Sequence, residues 1–168
     1  MRATLDALYG AAAWVAAACM IGVLVMVLLS IAGRQIGFYV PGTDAYAGYL
    51  MAGSSFLALA HTLKRNEHIR VTLFLNLSPP PLRRALQLWS LSVAVLLSGL
   101  LGWYCVRLAW QSHQFHDIST GADATPLWIP QVPMAVGALI LCVAFVDELV
   151  LALRGDQEMR EADLARVE

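Results

Sequence analysis

The sequence predicts an all-α integral membrane protein with four transmembrane helices and an amphipathic interfacial helix between the second and the third. Hydrophobic residues make up 59% of the 168 residues and charged residues only 14%, whereas soluble domains carry roughly 25% charged residues. The mean hydropathy is +0.65, and the charges lie in short clusters between long neutral runs, as in membrane proteins. The net charge of -1, with no basic stripe, argues against a nucleic-acid partner.

Each predicted span is a long run without charged residues. The first run, 7–33, would extend roughly 40 Å as a helix, more than the ~30 Å hydrocarbon core. It is also longer than the apolar region of a cleaved signal peptide, about 7–15 residues. We predict spans at 8–33, 44–63, 85–110 and 129–153, in a single domain that ends in a charged tail, 154–168.

The segment 66–77 is ambiguous by pattern alone. Its apolar residues alternate as in a strand, but an isolated strand edge cannot lie in lipid without unpaired backbone groups. At helical spacing, Ile69, Leu73 and Leu77 form one apolar stripe. We therefore predict an amphipathic helix that lies along the membrane surface.

Basic residues predict the orientation of the spans. Cytoplasmic loops of membrane proteins carry an excess of Lys and Arg, and the basic residues concentrate between spans two and three, whereas the loop between spans three and four is acidic. These basic residues are Lys64, Arg65, Arg70, Arg83 and Arg84. Both termini are therefore expected in the cytoplasm, and the acidic loop is expected to face the outside or the periplasm.

Small residues recur along the first two spans, where they would let another helix approach closely. In the second span Gly48, Ala52, Ser55 and Leu59 fall near one face. No ionisable residue is expected deep inside a span, and Asp147-Glu148 is expected near the membrane edge. The chain therefore predicts packing faces without an ion pathway, and a larger membrane subunit as the partner that stabilises it.

The histidines raise the possibility of a metal or haem site. His113 and His116, followed by Asp117, have an i, i+3 spacing that could bind a metal on a helix, but no third and fourth ligand is indicated. A haem-b-type membrane anchor subunit of a quinone-linked oxidoreductase would need axial histidines on facing helices. His61 and His113 are expected near opposite membrane faces, so we predict no cofactor and keep this class as the alternative.

Several motifs resemble the small membrane subunit (DctQ-type) of tripartite ATP-independent periplasmic (TRAP) transporters. They lie between Arg34 and Gly137: Arg34-Gln35-Ile36-Gly37, Asp44, Tyr49-Leu50, Phe56-Leu57-Ala58, Arg65-Asn66-Glu67-His68-Ile69-Arg70-Val71 and Leu127-Trp128-Ile129-Pro130-Gln131. The chain departs from the family pattern at Ala45, Ala58 and Val136, where an acid, a glycine and a proline are usual.

The resemblance implies a non-catalytic subunit with two protein partners. A periplasmic solute-binding protein captures an organic acid or similar solute, and a large subunit moves it with sodium by an elevator-type motion. The small subunit braces the large one and helps dock the binding protein. The resemblance implies that Arg34 and Asp44 are outer polar anchors and that His68, Ile69 and Arg70 belong to an interfacial arm.

Overall fold

Four α-helices account for most of the chain. The computed structural model describes residues 2–38, 40–64, 79–121 and 123–154. The helices are α1 (Arg2–Ile36), α2 (Thr43–Lys64), α3 (Pro80–Gln114) and α4 (Trp128–Arg154). The prediction of an all-helical protein is confirmed for these ranges, whose β structure is limited to the isolated bridge Ile118–Pro126. Residues 66–77, predicted as an interfacial helix, and residues 155–168 of the predicted tail lie outside the described residues.

Three of these helices are long and apolar enough to cross a membrane. They comprise Leu5–Ile36, Leu82–Gln114 and Trp128–Arg154. The second helix, α2, is shorter, with 22 residues, and carries more polar side chains. The described chain is thus a multi-helix membrane protein with three clear candidate spans.

The helices pack side by side in one layer in the order α1–α2–α4–α3, because the extensive contacts join α1 to α2, α2 to α4 and α4 to α3. The two central helices run parallel: Gly53 of α2 faces Pro133 of α4, and Lys64 farther along α2 reaches Glu148 farther along α4. The outer helices α1 and α3 expose most of their apolar side chains, whereas the buried apolar residues of α4 face its neighbours.

The close packing of α2 against α4 depends on small residues. Ala60, Ala138 and Ala144 are completely buried. A Cβ atom added at Gly137 would lie 2.5 Å from the carbonyl carbon of Phe56. The α4 backbone therefore approaches the α2 backbone closely at this point, which only glycine allows.

Two helix ends form Schellman motifs, in which a residue with positive φ follows the helix. At the end of α1 this residue is Gly37 (φ 75°), and the amide of Phe38 donates to the carbonyl oxygen of Gly33 at 2.9 Å. At the end of α3 it is His116 (φ 55°), and the amide of Asp117 donates to the carbonyl oxygen of Ser112 at 3.0 Å. A histidine in this conformation is strained, because its Cβ crowds the backbone.

Prolines mark both later helix starts. Pro80 and Pro81 occupy the first turn of α3, where a missing amide costs little. In α4, Pro130 lies in the first turn, but Pro133 lies inside the helix. Pro133 is the sixth residue of this helix, which begins at Trp128. Its ring fills the space opposite Gly53 of α2.

Candidate partner interface

The predicted anchors Arg34 and Asp44 lie together where α1 ends and α2 begins. An Arg34 guanidinium nitrogen is 3.7 Å from an Asp44 carboxylate oxygen, and the Ser30 hydroxyl donates to Asp44 at 3.3 Å. The two charged side chains are 74% and 80% exposed. An exposed pair of this kind contributes only about 0–1 kcal/mol. Its charged groups remain accessible to a partner molecule.

A cavity of about 420 Å³ opens beside this ion pair. Its walls come from the end of α1, the α1–α2 turn, the start of α2 and Gly121 of the α3–α4 loop. The two loops at this end of the protein therefore adjoin each other. The exposed side chains of Phe38 and Ile118 lie on these two loops.

Asp123 fastens the α3–α4 loop to α2. Its carboxylate accepts hydrogen bonds from the hydroxyls of Ser119 at 2.9 Å and Tyr49 at 3.2 Å. A Cβ added at Gly42 would lie 2.8 Å from the Asp123 Cβ, so the loop touches the chain just before α2. The sequence identified Asp123 only as one acid of an acidic loop, since its partner Tyr49 is remote along the chain.

Hydrogen bonding determines the protonation of Asp123. Desolvation of the carboxyl raises its pKa, but hydrogen bonds from Thr125, Ser119, its own backbone and Tyr49 lower it, and the lowering prevails. Asp123 is therefore a carboxylate at neutral pH. The ionised form is the one that accepts the hydrogen bonds holding the loop.

The opposite end of α2 contains a buried ion cluster. The Lys64 ammonium contacts the Asp147 carboxylate and lies 3.1 Å from an oxygen of Glu148, a residue that is only 5% exposed. The same ammonium lies 5.5 Å from the ring centroid of Tyr9, within cation–π range. The sequence placed Asp147-Glu148 near the membrane edge but did not indicate that Glu148 is buried between helices, where Lys64 of α2 supplies its counter-charge.

This cluster ties three helices together at one end. Removing one member of a buried ion pair typically costs about 3–5 kcal/mol, because the other charge stays buried without its partner. Lys64 is the last residue of α2. It is followed by the segment 65–78, which the structure does not describe. The remaining site candidates, His68, Ile69 and Arg70, fall in that segment, outside the described residues.

The small-residue face predicted on α2 is largely open. Gly48 and Ser55 are exposed, Ala52 and Leu59 are half-buried, and a Cβ added at Gly48 would meet no atom within 4 Å. The residues of α2 that are buried within the chain lie on other positions, namely Thr43, Gly53, Ser54, Leu57, Ala60 and Leu63. The exposed positions Gly48 and Ser55 are therefore separate from the surface that α2 uses to contact α1 and α4, whereas Leu59 packs against the core cluster of these helices.

The histidines do not form a shared site in the described structure. His61 lies in the last turn of α2, whereas His113 lies in the last turn of α3, beside Trp128. Since the loop after α3 meets the first turns of α2, these histidines lie at opposite ends of the layer and cannot ligate one iron. His116 lies beyond the end of α3, so a helical His113–His116 pair is not formed.

Cys19, Cys105 and Cys142 are free and half-buried.

Parallel central helices, close small-residue crossings and an open helix face define a multi-pass helical membrane protein. Its family follows from residues 23–155, which match the family model for the DctQ component of tripartite ATP-independent periplasmic transporters. The chain belongs to this family and is a TRAP transporter small permease subunit of the inner membrane. A search of the curated proteins finds no match.

Proposed function

We propose that this chain is the non-catalytic small subunit of a sodium-coupled TRAP transporter for organic acids or similar solutes. It braces the large elevator-type subunit and helps dock the periplasmic solute-binding protein. Family membership supports association with both partners. Sodium coupling and solute recognition would reside in those partners.

The observation that carries the bracing role is the open face of α2. Helices associate in lipid through close packing of small residues, since lipid and protein are equally apolar. Gly48 has no neighbouring atom within 4 Å of its Cβ position, and Ser55, two turns farther on, is also exposed. In this proposal, a helix of the large subunit packs against Gly48 and Ser55.

We also propose that all four helices cross the membrane, with both termini in the cytoplasm. The support is that α2 runs beside α4, itself a candidate span, from Gly53–Pro133 to Lys64–Glu148. The 22 residues of α2 would measure about 33 Å, close to the ~30 Å hydrocarbon core. The polar side chains of α2 are tolerated because α1 and α4 flank it.

Docking of the binding protein is assigned to the two outer loops. In the proposed orientation, the exposed apolar side chains of Phe38 and Ile118 and the pair Arg34–Asp44 face the periplasm. Asp123 keeps the longer loop in place beside α2. On the cytoplasmic side, we propose that His68, Ile69 and Arg70 form part of an arm along the membrane surface.

The test of bracing is co-purification with the large subunit in mild detergent. Gly48→Leu places bulk on the open face of α2 without meeting an atom near its Cβ in this chain. We expect it to leave the thermal unfolding of the isolated chain nearly unchanged and to reduce recovery of the large subunit severalfold. Leu100→Phe, on the exposed surface of α3, is the matched control and should leave recovery unchanged.

Two results would contradict the bracing proposal. One is unchanged recovery of the large subunit with Gly48→Leu. The other is equal stability of the wild-type chain with and without the co-expressed large subunit, since a true partner stabilises the folded form by mass action.

Orientation is tested separately, with an impermeant thiol reagent in intact cells. In a background without the three native cysteines, Ser119→Cys would perturb the Asp123 contact, so Thr120→Cys is the better probe of the α3–α4 loop. It should be labelled from outside, whereas Asn76→Cys should be protected. The reverse pattern would show that the proposed orientation is inverted.

A further inference from the structure

The surface of α3 that faces away from α4 has one continuous stripe. Its exposed members recur at helical spacing: Trp89, Leu96, Leu100, Trp103, Arg107 and Trp110. The opposite side of α3 is the one that packs. Ser98, nine residues before Arg107 and hence half a turn around the helix, is buried, and Gly102 lies against Leu139 of α4.

Arg107 is the single cation in this stripe, and aromatic rings surround it. Trp103 and Trp110 lie one turn before and one turn after it and are 67% and 64% exposed. Arg107 itself is exposed, and it makes no ion pair or hydrogen bond with the chain as described in residues 2–38, 40–64, 79–121 and 123–154. Arg34, at the same end of the layer, is paired with Asp44.

The length of the stripe matches a bilayer. Trp89 and Trp110 are 21 residues apart, or about 32 Å along a helix, close to the ~30 Å hydrocarbon core. Tryptophans mark the two membrane–water interfaces of a span. Arg107 lies within the last turn before Trp110, so its guanidinium can extend into the headgroup layer.

We propose that Arg107, flanked by Trp103 and Trp110, binds the phosphate of a phospholipid in the leaflet at the C-terminal end of α3. A guanidinium donates two parallel hydrogen bonds to a phosphate group. The indole rings hold the glycerol and upper acyl region beside it. This site does not depend on the proposed transporter role.

The residues of the stripe favour lipid over a protein helix as the occupant. Contacts between transmembrane helices are enriched in Gly, Ala, Ser and Thr, as on the open face of α2. The stripe instead presents Leu96 and Leu100 between its tryptophans. Bulky apolar side chains with a cation at one end match acyl chains with an anionic headgroup.

The test is native mass spectrometry of the full chain in neutral detergent, with palmitoyl-oleoyl phosphatidylglycerol added in steps. The wild-type chain should retain one phosphatidylglycerol more tightly than the others. Because a hydrogen bond to a charged group is worth more than a neutral one, Arg107→Gln should weaken that binding by about tenfold. Arg107→Lys, which keeps the charge but not the two-pronged geometry, should weaken it less.

Arg34→Gln is the matched control, since it removes an exposed arginine of the same end that has a carboxylate partner. It should leave phosphatidylglycerol binding unchanged. Equal lipid binding by wild type and Arg107→Gln would overturn the proposal. So would unchanged lipid binding with loss of the large subunit on co-purification, since that result would assign Arg107 to a protein carboxylate.

Discussion

Replacing Gly137 by alanine tests whether the approach of α2 and α4 holds the layer together. The added Cβ would lie 2.5 Å from the carbonyl carbon of Phe56 and 2.6 Å from its carbonyl oxygen. Ordinary contacts of a Cβ begin at 3.4 Å, so the two backbones would have to separate by about 0.9 Å. Both atoms belong to the main chain of a helix, so no side-chain rotation can relieve the clash.

The expected loss of unfolding free energy in Gly137→Ala can be estimated from two opposing contributions. Overpacking in a close-packed interior costs about 1–3 kcal/mol, whereas alanine in a helix is favoured over glycine by about 1 kcal/mol. Gly48→Ala on α2 gains the same propensity without any clash, because nothing lies within 4 Å of its Cβ position. The difference between the two variants therefore isolates the packing term.

The assay is thermal unfolding of both variants in the same detergent. A loss of 1 kcal/mol lowers the midpoint by about 2–4 °C for a chain of this size. Gly137→Ala should therefore unfold about 2–12 °C below Gly48→Ala. Equal midpoints would refute the conclusion that α2 and α4 depend on backbone contact at Gly137.

Three further predictions concern the ends of the layer. Lys64→Met should lower stability by about 3–5 kcal/mol, measured as folded yield and unfolding midpoint. Adding Asp147→Asn and Glu148→Gln should restore much of the lost stability. If these two changes do not restore it, the charge-pairing explanation is contradicted. Because the pKa of Asp123 is lowered in the folded state, its contribution is present above the ordinary aspartate pKa of ~3.9 and lost as pH falls through the folded value. The protection factor of the α3–α4 loop amides, which compares their exchange rate with the intrinsic rate at the same pH, should thus stay constant from pH 7 to 5 and fall only in stronger acid, whereas Asp123→Ala should lower it already at pH 7. His116→Gly should raise the unfolding midpoint by about 2–4 °C by relieving a strain of ~1 kcal/mol at φ 55°; a lower midpoint would show that the imidazole makes a stabilising contact.

The helices could be predicted from the sequence because each contains a long stretch without charged residues. In a membrane, the backbone amides and carbonyls of the run 7–33 and of the later neutral runs must form hydrogen bonds within the protein. A helix is the only structure that forms all of these hydrogen bonds within one segment. The order α1–α2–α4–α3 could not be predicted this way. A neutral helix is apolar on every side, so its pattern does not indicate which side meets which neighbour.

The ion pairs of the candidate partner interface could be predicted only where the two residues flank the same turn. Arg34 and Asp44 flank one short connection, so their pairing follows from the chain's reversal. Lys64 and Glu148 are 84 residues apart and sit at the ends of neutral runs, where charges ordinarily mark the membrane surface. Their burial depends on the parallel course of α2 and α4, which becomes visible only in three dimensions.

The position of α4 between α2 and α3 has a consequence for how the protein is made. When α3 has been synthesised, α1 and α2 can already form a hairpin, but α3 still lacks the helix against which it makes its extensive contacts. The chain must then keep α3 apart from α2 until α4 emerges from the ribosome and occupies the space between them. Assembly in the bilayer is therefore completed by the last helix, and a chain that stops before Trp128 lacks the helix against which α3 packs.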